Sequence, residues 1–358
     1  MQDWEKIQKR YEQFWNRENH DRPLVCITAP KNRESVYRDK KDRPLMERWC
    51  DIDYMLARTN HDIENTYYGC EAYPMAFPDL GPDQFAAFYG TPITFGETTS
   101  WAEHVLEEAA TEEIGELKID RDNFYYKKLI EMVTAMVEDA RGRYFVGIPD
   151  LHPGADALVS MRGPQQLCID TLEDPDFIKS KMMELYHGFC SIYDEMYRLT
   201  TKYQTGSSNW MGIWHPNRWY VTSCDFCCMI SPEMFEELII PELMEELRFL
   251  DRSVFHLDGC GALKHLDRLL HIKELDGIQW VYGAGAPTAS HWTDTINKIQ
   301  NAGKSVHIEV LPGELKYMLA QVKPEGILFK VNASSESEAR ELEELVVSME
   351  ENLSRQKL

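Results

Sequence analysis

The segment His256-Leu257-Asp258-Gly259-Cys260-Gly261 contains the residue types best suited to chemistry in this chain. His256 and Asp258 are two positions apart, so on a β-strand their side chains would point to the same face. Imidazole and carboxylate groups can transfer protons or bind a metal ion, and the glycines let the backbone approach a ligand closely. We therefore expect an active site here, although the pair could also hydrogen-bond to each other in a purely structural role.

Strands must position these residues, and short apolar runs that alternate with longer helical stretches predict strands joined by crossover helices. Seven runs have this character: Pro23–Ala29, Tyr144–Ile148, Ser208–Trp214, Ser253–Leu257, Gly277–Tyr282, Ser305–Val310 and Gly326–Val331. An eighth strand is expected between residues 64 and 98. This alternation, over 358 residues without an evident repeat or linker, predicts a single-domain α/β protein, a (β/α)8 TIM barrel covering residues 1–358.

Capping residues and apolar periodicity predict the main helices. The N-terminal helical arm, residues 1–22, begins with a helix that Asp3 would cap. Asp174-Pro175 and Ser231-Pro232 each combine a capping residue with a proline in the first turn, which is typical of a helix start. A last amphipathic helix is expected after Ser335.

In a (β/α)8 barrel, side chains at the carboxyl ends of the strands converge on one mouth. We therefore predict catalytic roles for His256, Asp258, Asp225 and Asp150. We predict substrate contacts for His152, Trp210, Trp214, His215, Tyr220, Glu97 and Asn332. Structural roles stay open as alternatives: Asp150 and His152 could order a proline-glycine loop, and Asp225 could bind backbone amides at a helix start. The aromatic residues could equally belong to the core.

The net charge and the cysteine content of the chain exclude some classes of binding partner and indicate others. The formal net charge of −22 would repel nucleic acid and anionic lipid, so neither is an expected partner. Nine cysteines without a visible export signal indicate reduced thiols in a cytoplasmic protein. No apolar run approaches the roughly 18 residues that would span a bilayer. The expected partners are a small-molecule substrate and, as a further hypothesis, a second copy of the chain in a homodimer.

Two segments resemble the uroporphyrinogen decarboxylase superfamily: ISPEMFEELIIPEL, residues 230–243, and VFHLDGCG, residues 254–261. Looser likeness extends from RPLVCITAP near the N-terminus to GILFKVNASSESEARELEELV near the C-terminus. The resemblance implies a barrel similar in fold to cobalamin-independent methionine synthase. It also implies one of two activities, because the superfamily includes porphyrinogen decarboxylases and zinc-dependent methyltransferases that pass methyl groups to or from corrinoid proteins.

Two departures from the family patterns bear on that choice. The decarboxylases carry an arginine-rich stretch after the first strand, where this chain has ITAPKNRES with only Lys31 and Arg33. A strongly acidic chain without those arginines is a poor host for a substrate with many carboxylates. The methyltransferases hold zinc with His-x-Cys and a later cysteine, and the matching positions here are His256, Asp258 and either Asn332 or Ala333. The resemblance thus implies a zinc site at His256 and Asp258, which Cys260 or Glu309 could complete.

Three functions follow as hypotheses. The leading one is a methyltransferase that moves a methyl group between a small methylated substrate, such as a methyl ether or amine, and the cobalt of a separate corrinoid protein. The second is a decarboxylase-like carboxy-lyase, in which Arg218 or Arg162 would anchor an acid and Asp225 or Asp258 would stabilise a protonated intermediate. The third is a non-catalytic barrel that binds a small aromatic or quaternary amine.

Overall fold

The structure is a computed structural model that describes residues 3–31 and 43–356, with side chains described as far as residue 349. Its strands are β1 Leu24–Pro30, β2 Thr66–Cys70, β3 Met75–Ala76, β4 Ile93–Phe95, β5 Ser100–Ala102, β6 Phe145–Val146, β7 Trp219–Ser223, β8 Arg252–Asp258, β9 Gly277–Val281, β10 Ser305–Glu309 and β11 Ile327–Asn332.

The helices α1 to α7 are Trp4–Asn16, Leu45–Cys50, Ile52–Asn65, Gln84–Ala87, Phe124–Ala140, Gly154–Arg162 and Pro164–Glu173. The helices α8 to α14 are Pro175–Thr200, Pro232–Met234, Ile240–Phe249, Leu266–Leu270, Thr293–Asn301, Leu315–Gln321 and Glu336–Gln356. Shorter 3-10 turns are Thr111–Glu113, Asp225–Met229, Cys260–His265, Ala289–Trp292 and Pro312–Glu314, and Phe235–Ile239 is a π-helical turn.

Seven strands form one mostly parallel sheet in the order β2-β1-β11-β10-β9-β8-β7. Strands β1, β11, β10, β9, β8 and β7 pair in parallel, and β2 runs antiparallel to β1. Outside this sheet, β3 pairs in parallel with β6, and a parallel bridge joins Ile148 to Asn209. The chain is therefore a mixed α/β protein, as predicted, with helices between successive parallel strands.

The two faces of the sheet differ in chemistry. Phe255, Leu257 and Phe329 lie on the face that packs against the helices, in the main apolar core. The opposite face, which we term the inner face, carries His256 and Lys330 because neighbours along a strand alternate sides. Polar residues on this face, among them His256, Asp258 and Asn332, lie toward the carboxyl ends of the strands.

Helix α1 covers the inner face near the amino ends of the strands. Ile7, Tyr11 and Phe14 are buried in a second apolar cluster that includes Val254 and Leu328. The Asp3 side chain accepts a hydrogen bond from the Lys6 amide at 3.3 Å, so the predicted N-terminal cap is confirmed. The amino end of the inner face is consequently filled by apolar side chains.

The other predicted helix starts are confirmed. The Asp174 carboxylate accepts from the Phe177 amide at 3.1 Å, and α8 follows with its apolar stripe buried. The Ser231 hydroxyl accepts from the Met234 amide at 3.2 Å, and α14 begins directly after Ser335. Within the described residues, no helix combines the length and the apolar character needed to cross a membrane.

One predicted strand is wrong. Ser208–Trp214 forms turns apart from the Asn209 bridge, and the strand in this region is β7, Trp219–Ser223. Gly206 and Gly212 each adopt a φ of 78°, which a continuous strand does not accommodate. The eighth strand expected between residues 64 and 98 is divided among β2, β3 and β4.

Candidate functional site

His256 and Gln279 form a fixed pair at the carboxyl end of the sheet. Ser223 on β7, His256 on β8 and Gln279 on β9 are successive partners in the parallel register. The Nδ1 atom of His256 lies 2.6 Å from Oε1 of Gln279. Because Oε1 can only accept, Nδ1 donates this hydrogen bond, which leaves Nε2 as the ring atom available to a ligand.

Asp225, His256 and Asp258 form a candidate metal site. Each offers one ligand atom, and these three atoms lie within 4.8 Å of one another. Asp225 comes from the 3-10 turn directly after β7, and the other two come from the end of β8. Imidazole and carboxylate donors suit a divalent ion such as zinc, and three protein ligands leave a position for substrate. The residues present therefore fit a catalytic zinc site.

The predicted metal ligands Cys260 and Glu309 do not join this group. Cys260 is exposed at the start of the 3-10 turn after β8. Glu309 lies at the end of β10, where its carboxylate accepts a hydrogen bond from the Asn332 side-chain amide. Register explains the difference, because Glu309 is two strands away from β8 in the sheet.

His152 and Asp150, both predicted as site residues, belong to a second cluster. The Nε2 atom of His152 lies 2.6 Å from Oδ1 of Asp150, a close ion pair in which the oxygen lies off the N–H direction. Its Nδ1 atom lies 3.3 Å from the Ser223 hydroxyl and 3.7 Å from Asp156. The Ser223 contact places this cluster beside His256, which pairs with Ser223 in the sheet.

Asp156, which the sequence analysis missed, anchors the turn that carries Asp225. Its two carboxylate oxygens accept hydrogen bonds from the backbone amides of Asp225 and Phe226, both at 3.1 Å. The Ser223 hydroxyl donates to the same carboxylate at 3.2 Å. A sequence signal existed, because Asp156 lies four residues after His152 in the first turn of a helix.

Burial and neighbouring charges shift the pKa values of His152, Asp156 and Asp225 in different directions. Burial alone would lower the pKa of His152, but the adjacent carboxylates of Asp150 and Asp156 raise it well above its usual value. Burial would raise the pKa of Asp156, but the His152 imidazolium and two backbone amides lower it. Removal from water and the nearby Asp156 carboxylate raise the pKa of Asp225. The site therefore contains an imidazolium between two carboxylates beside a more weakly acidic Asp225.

Trp210 forms a wall between the two clusters. Its ring centroid lies 5.5 Å from that of His256 and 6.3 Å from that of His152. Trp210, which was predicted to contact substrate, therefore lies beside both histidines. An indole edge at this distance shields the imidazole rings from water and offers an apolar surface to a small substrate.

The inner face continues from His256 toward β11. His307 on β10 pairs with Gln279 on one side and with Leu328 on the other. Burial and the nearby Lys330 ammonium lower the pKa of His307 to about 3, so the ring is neutral. Asn332, predicted to contact substrate, accepts from the Thr28 hydroxyl at 2.9 Å and donates to Glu309.

A cavity of about 710 Å³ adjoins this face and is lined in part by Thr28 on β1 and by Asp79. Burial and the neighbouring Asp150 carboxylate raise the pKa of Asp79. The predicted residue Glu97 lies on the cavity wall, where it accepts from Arg48 at 2.8 Å. Glu97 is therefore a residue of this cavity's wall, and neither His152 nor His256 is among the described residues that line the cavity.

Three residues predicted to contact substrate lie elsewhere. Trp214 is 1% exposed and donates to the Thr205 carbonyl, and its own carbonyl accepts from Trp15 on α1. The His215 ring packs against the same Trp15, and burial lowers its pKa to about 4. The buried Tyr220 hydroxyl donates to the Pro149 carbonyl. Trp214 and His215 pack the interior because the chain turns before β7, and Tyr220 is buried as part of β7 itself.

The cations proposed as substrate anchors are also occupied. Arg162 is 1% exposed and makes two hydrogen bonds to Asp170. Arg218 lies 2.9 Å from Asp194, and the Lys31 ammonium donates to the Glu64 carbonyl. Arg33 lies outside the described residues.

Comparison with known proteins shows a likeness to solved structures. No family model matches the chain, and no curated protein matches it. Among solved structures, the chain is similar to a methyltransferase from Methanosarcina mazei, with a TM-score of 0.61 and 11% sequence identity. The alignment covers 97% of this chain and 99% of the other. At this identity the likeness establishes the fold along nearly the whole chain.

Proposed function

We propose that this protein is a methyltransferase whose small methylated substrate binds between Trp210 and the group Asp225, His256 and Asp258. The observation that carries the proposal is the convergence of those three donor side chains at the open end of the inner face. The shared fold with a methyltransferase supports it, as does the resemblance of residues 230–261 to the uroporphyrinogen decarboxylase superfamily. On the same grounds we propose that the sheet and the β3–β6 pair close into a (β/α)8 barrel.

Zinc is the metal we propose for this group. It would be held by Nε2 of His256 and by the carboxylates of Asp225 and Asp258, and it would stabilise the negative charge on the demethylated group. Gln279 orients His256 for this task, and Asp156 fixes the turn that carries Asp225. Trp210 excludes water from the same space.

The methyl acceptor we propose is the cobalt of a corrinoid carried by a separate protein. Methyl transfer requires donor and acceptor in line but little proton transfer, so positioning would supply most of the rate. Helix α1 fills the amino end of the inner face, and the acceptor would therefore approach from the carboxyl end.

In the direct test, zinc-loaded protein is incubated with a panel of methyl ethers and methylamines and with free cob(I)alamin. Formation of methylcobalamin is measured by absorbance. We expect turnover with the native chain and a loss of about 100-fold or more in His256→Ala. His271→Ala is the matched control, because His271 is exposed on another part of the chain. Ligand binding without any methylcobalamin would favour the non-catalytic alternative and contradict the proposal.

The carboxy-lyase alternative has less support. Its two candidate anchors, Arg162 and Arg218, are already paired with Asp170 and Asp194. Release of carbon dioxide from a carboxylate substrate by the purified protein would restore this alternative.

A further inference from the structure

Lys330 is a cation on the inner face without a partner among the described residues. It lies between Leu328 and Asn332 along β11, and its neighbours in register are Cys26 on β1 and Glu309 on β10. The Glu309 carboxylate lies beside it in the sheet but accepts its hydrogen bond from Asn332. No hydrogen bond or ion pair joins the exposed Lys330 ammonium to any described residue.

His307 supplies a second, independent sign of a binding site next to Lys330. The residue is only 3% exposed, and its Nδ1 atom has no hydrogen-bond partner among the described residues. Leaving a buried polar nitrogen unsatisfied is costly, so such atoms usually have a ligand or water partner. His307 shares the inner face with Gln279, its register partner, and lies within electrostatic reach of both Lys330 and His256.

We propose that Lys330 and His307 form a subsite for a carboxylate group, so that the substrate is a small methylated carboxylic acid. This inference rests on the proposed methyltransferase function and specifies its substrate. The carboxylate would accept from the Lys330 ammonium and from an imidazole N–H of His307. The methyl group would then lie toward Asp225, His256 and Asp258.

The surrounding charges favour a single negative charge on the ligand. Lys330 is one cation on a face that also carries Glu309 and Asp258, so a dianion such as a phosphate ester would be repelled more strongly. Three strand spacings separate β8 from β11 in the sheet. At about 4.8 Å each, these spacings give a path of roughly 14 Å across the sheet between His256 on β8 and Lys330 on β11. Curvature of the sheet shortens this path. The carboxylate and the methyl group therefore belong at opposite ends of the ligand.

The test uses two probes of nearly the same shape, 4-methoxybenzoate and 4-methoxybenzamide, of which only the first carries a negative charge, with binding measured by isothermal titration calorimetry. We expect the native protein to bind the acid roughly tenfold more tightly than the amide, or better, because an ammonium strengthens the hydrogen bond to a carboxylate. Lys330→Gln should abolish this preference, because it weakens binding of the acid and leaves binding of the amide unchanged. Lys330→Arg should keep it, because the charge remains.

Lys316→Gln is the matched control, since Lys316 is exposed on α13 and should leave both affinities unchanged. Equal affinity of the native protein for both probes, or no binding of the acid, would overturn the subsite. If Lys316→Gln lost the preference for the acid as fully as Lys330→Gln does, the subsite would also be overturned. Thermal unfolding of each variant separates loss of fold from loss of binding. Methylcobalamin formation is measured separately, so a failed methyl transfer with intact acid preference refutes only the proposed function.

Discussion

Replacing Gln279 with leucine tests whether His256 binds a metal in the orientation proposed. Gln279 is 9% exposed, and its Oε1 atom lies 2.6 Å from Nδ1 of His256. Leucine keeps the approximate volume but removes the acceptor, so the ring can rotate or place its proton on Nε2. Gln279→Glu keeps an acceptor and adds negative charge, which makes the imidazole a stronger ligand.

The expected magnitude follows from the single hydrogen bond. A bond of this kind contributes about 1–1.5 kcal/mol, and 1.4 kcal/mol corresponds to about a tenfold change in a dissociation constant. Changes to groups that orient metal-binding histidines commonly cost about 10–100-fold in metal affinity. We therefore expect the zinc dissociation constant of Gln279→Leu to rise by about 10–100-fold, and that of Gln279→Glu to stay equal or fall.

The assay is competition for zinc between the metal-free protein and a chromophoric chelator. Cobalt absorption is recorded in parallel to distinguish nitrogen and oxygen ligands from the cysteine thiolates. Gln321→Leu is the control, because Gln321 is exposed at the end of α13. Native zinc affinity in Gln279→Leu, together with its loss in His256→Ala, would refute the proposed role of Gln279. Native affinity in both variants would refute the metal site.

Two further predictions concern stability. The carboxylates around His152 raise its folded-state pKa, so its contribution is fully present below the unfolded value of about 6.5 and is lost as the pH rises through the folded value. The Tm of His152→Gln should therefore fall below that of the native protein by a few degrees at pH 6, with a smaller difference at alkaline pH; a constant difference would contradict this. Arg162→Met leaves the Asp170 carboxylate buried without its partner, which should cost about 3–5 kcal/mol in urea unfolding. The double variant with Asp170→Leu should recover most of the loss, and an equally unstable double variant would show that the pair itself is not the cause.

The fold could be predicted from the sequence where local patterns and tertiary structure agree. The run Ser253–Leu257 became β8, and the cap at Asp174 began α8, because strand alternation and capping are short-range properties. The prediction of a strand at Ser208–Trp214 failed because its aromatic residues resemble those of a strand, while Trp214 contacts Trp15 on α1, almost two hundred residues away, and Trp210 lies against His256. Composition alone cannot distinguish an aromatic residue buried within a strand from one buried against a distant helix.

The candidate site was predicted in part for the same reason. His256 and Asp258 are close in sequence, and their common face followed from strand period. Asp156, Gln279 and His307 matter through contacts across the sheet or from a separate helix, which depend on register. Register cannot be deduced from one strand at a time, so these residues became visible only when the strands were placed side by side.

The position of α1 separates the residues that stabilise this fold from those available for chemistry. Trp15 on α1 donates to the Trp214 carbonyl and packs against His215, so both belong to the filled amino end. Trp210, only four residues before Trp214, lies instead against His256 at the open end. The turn between the two tryptophans includes Gly212 with a positive φ, which lets the chain reverse within so few residues. A substitution at Trp210 should therefore affect ligand binding more than stability, and one at Trp214 should do the opposite.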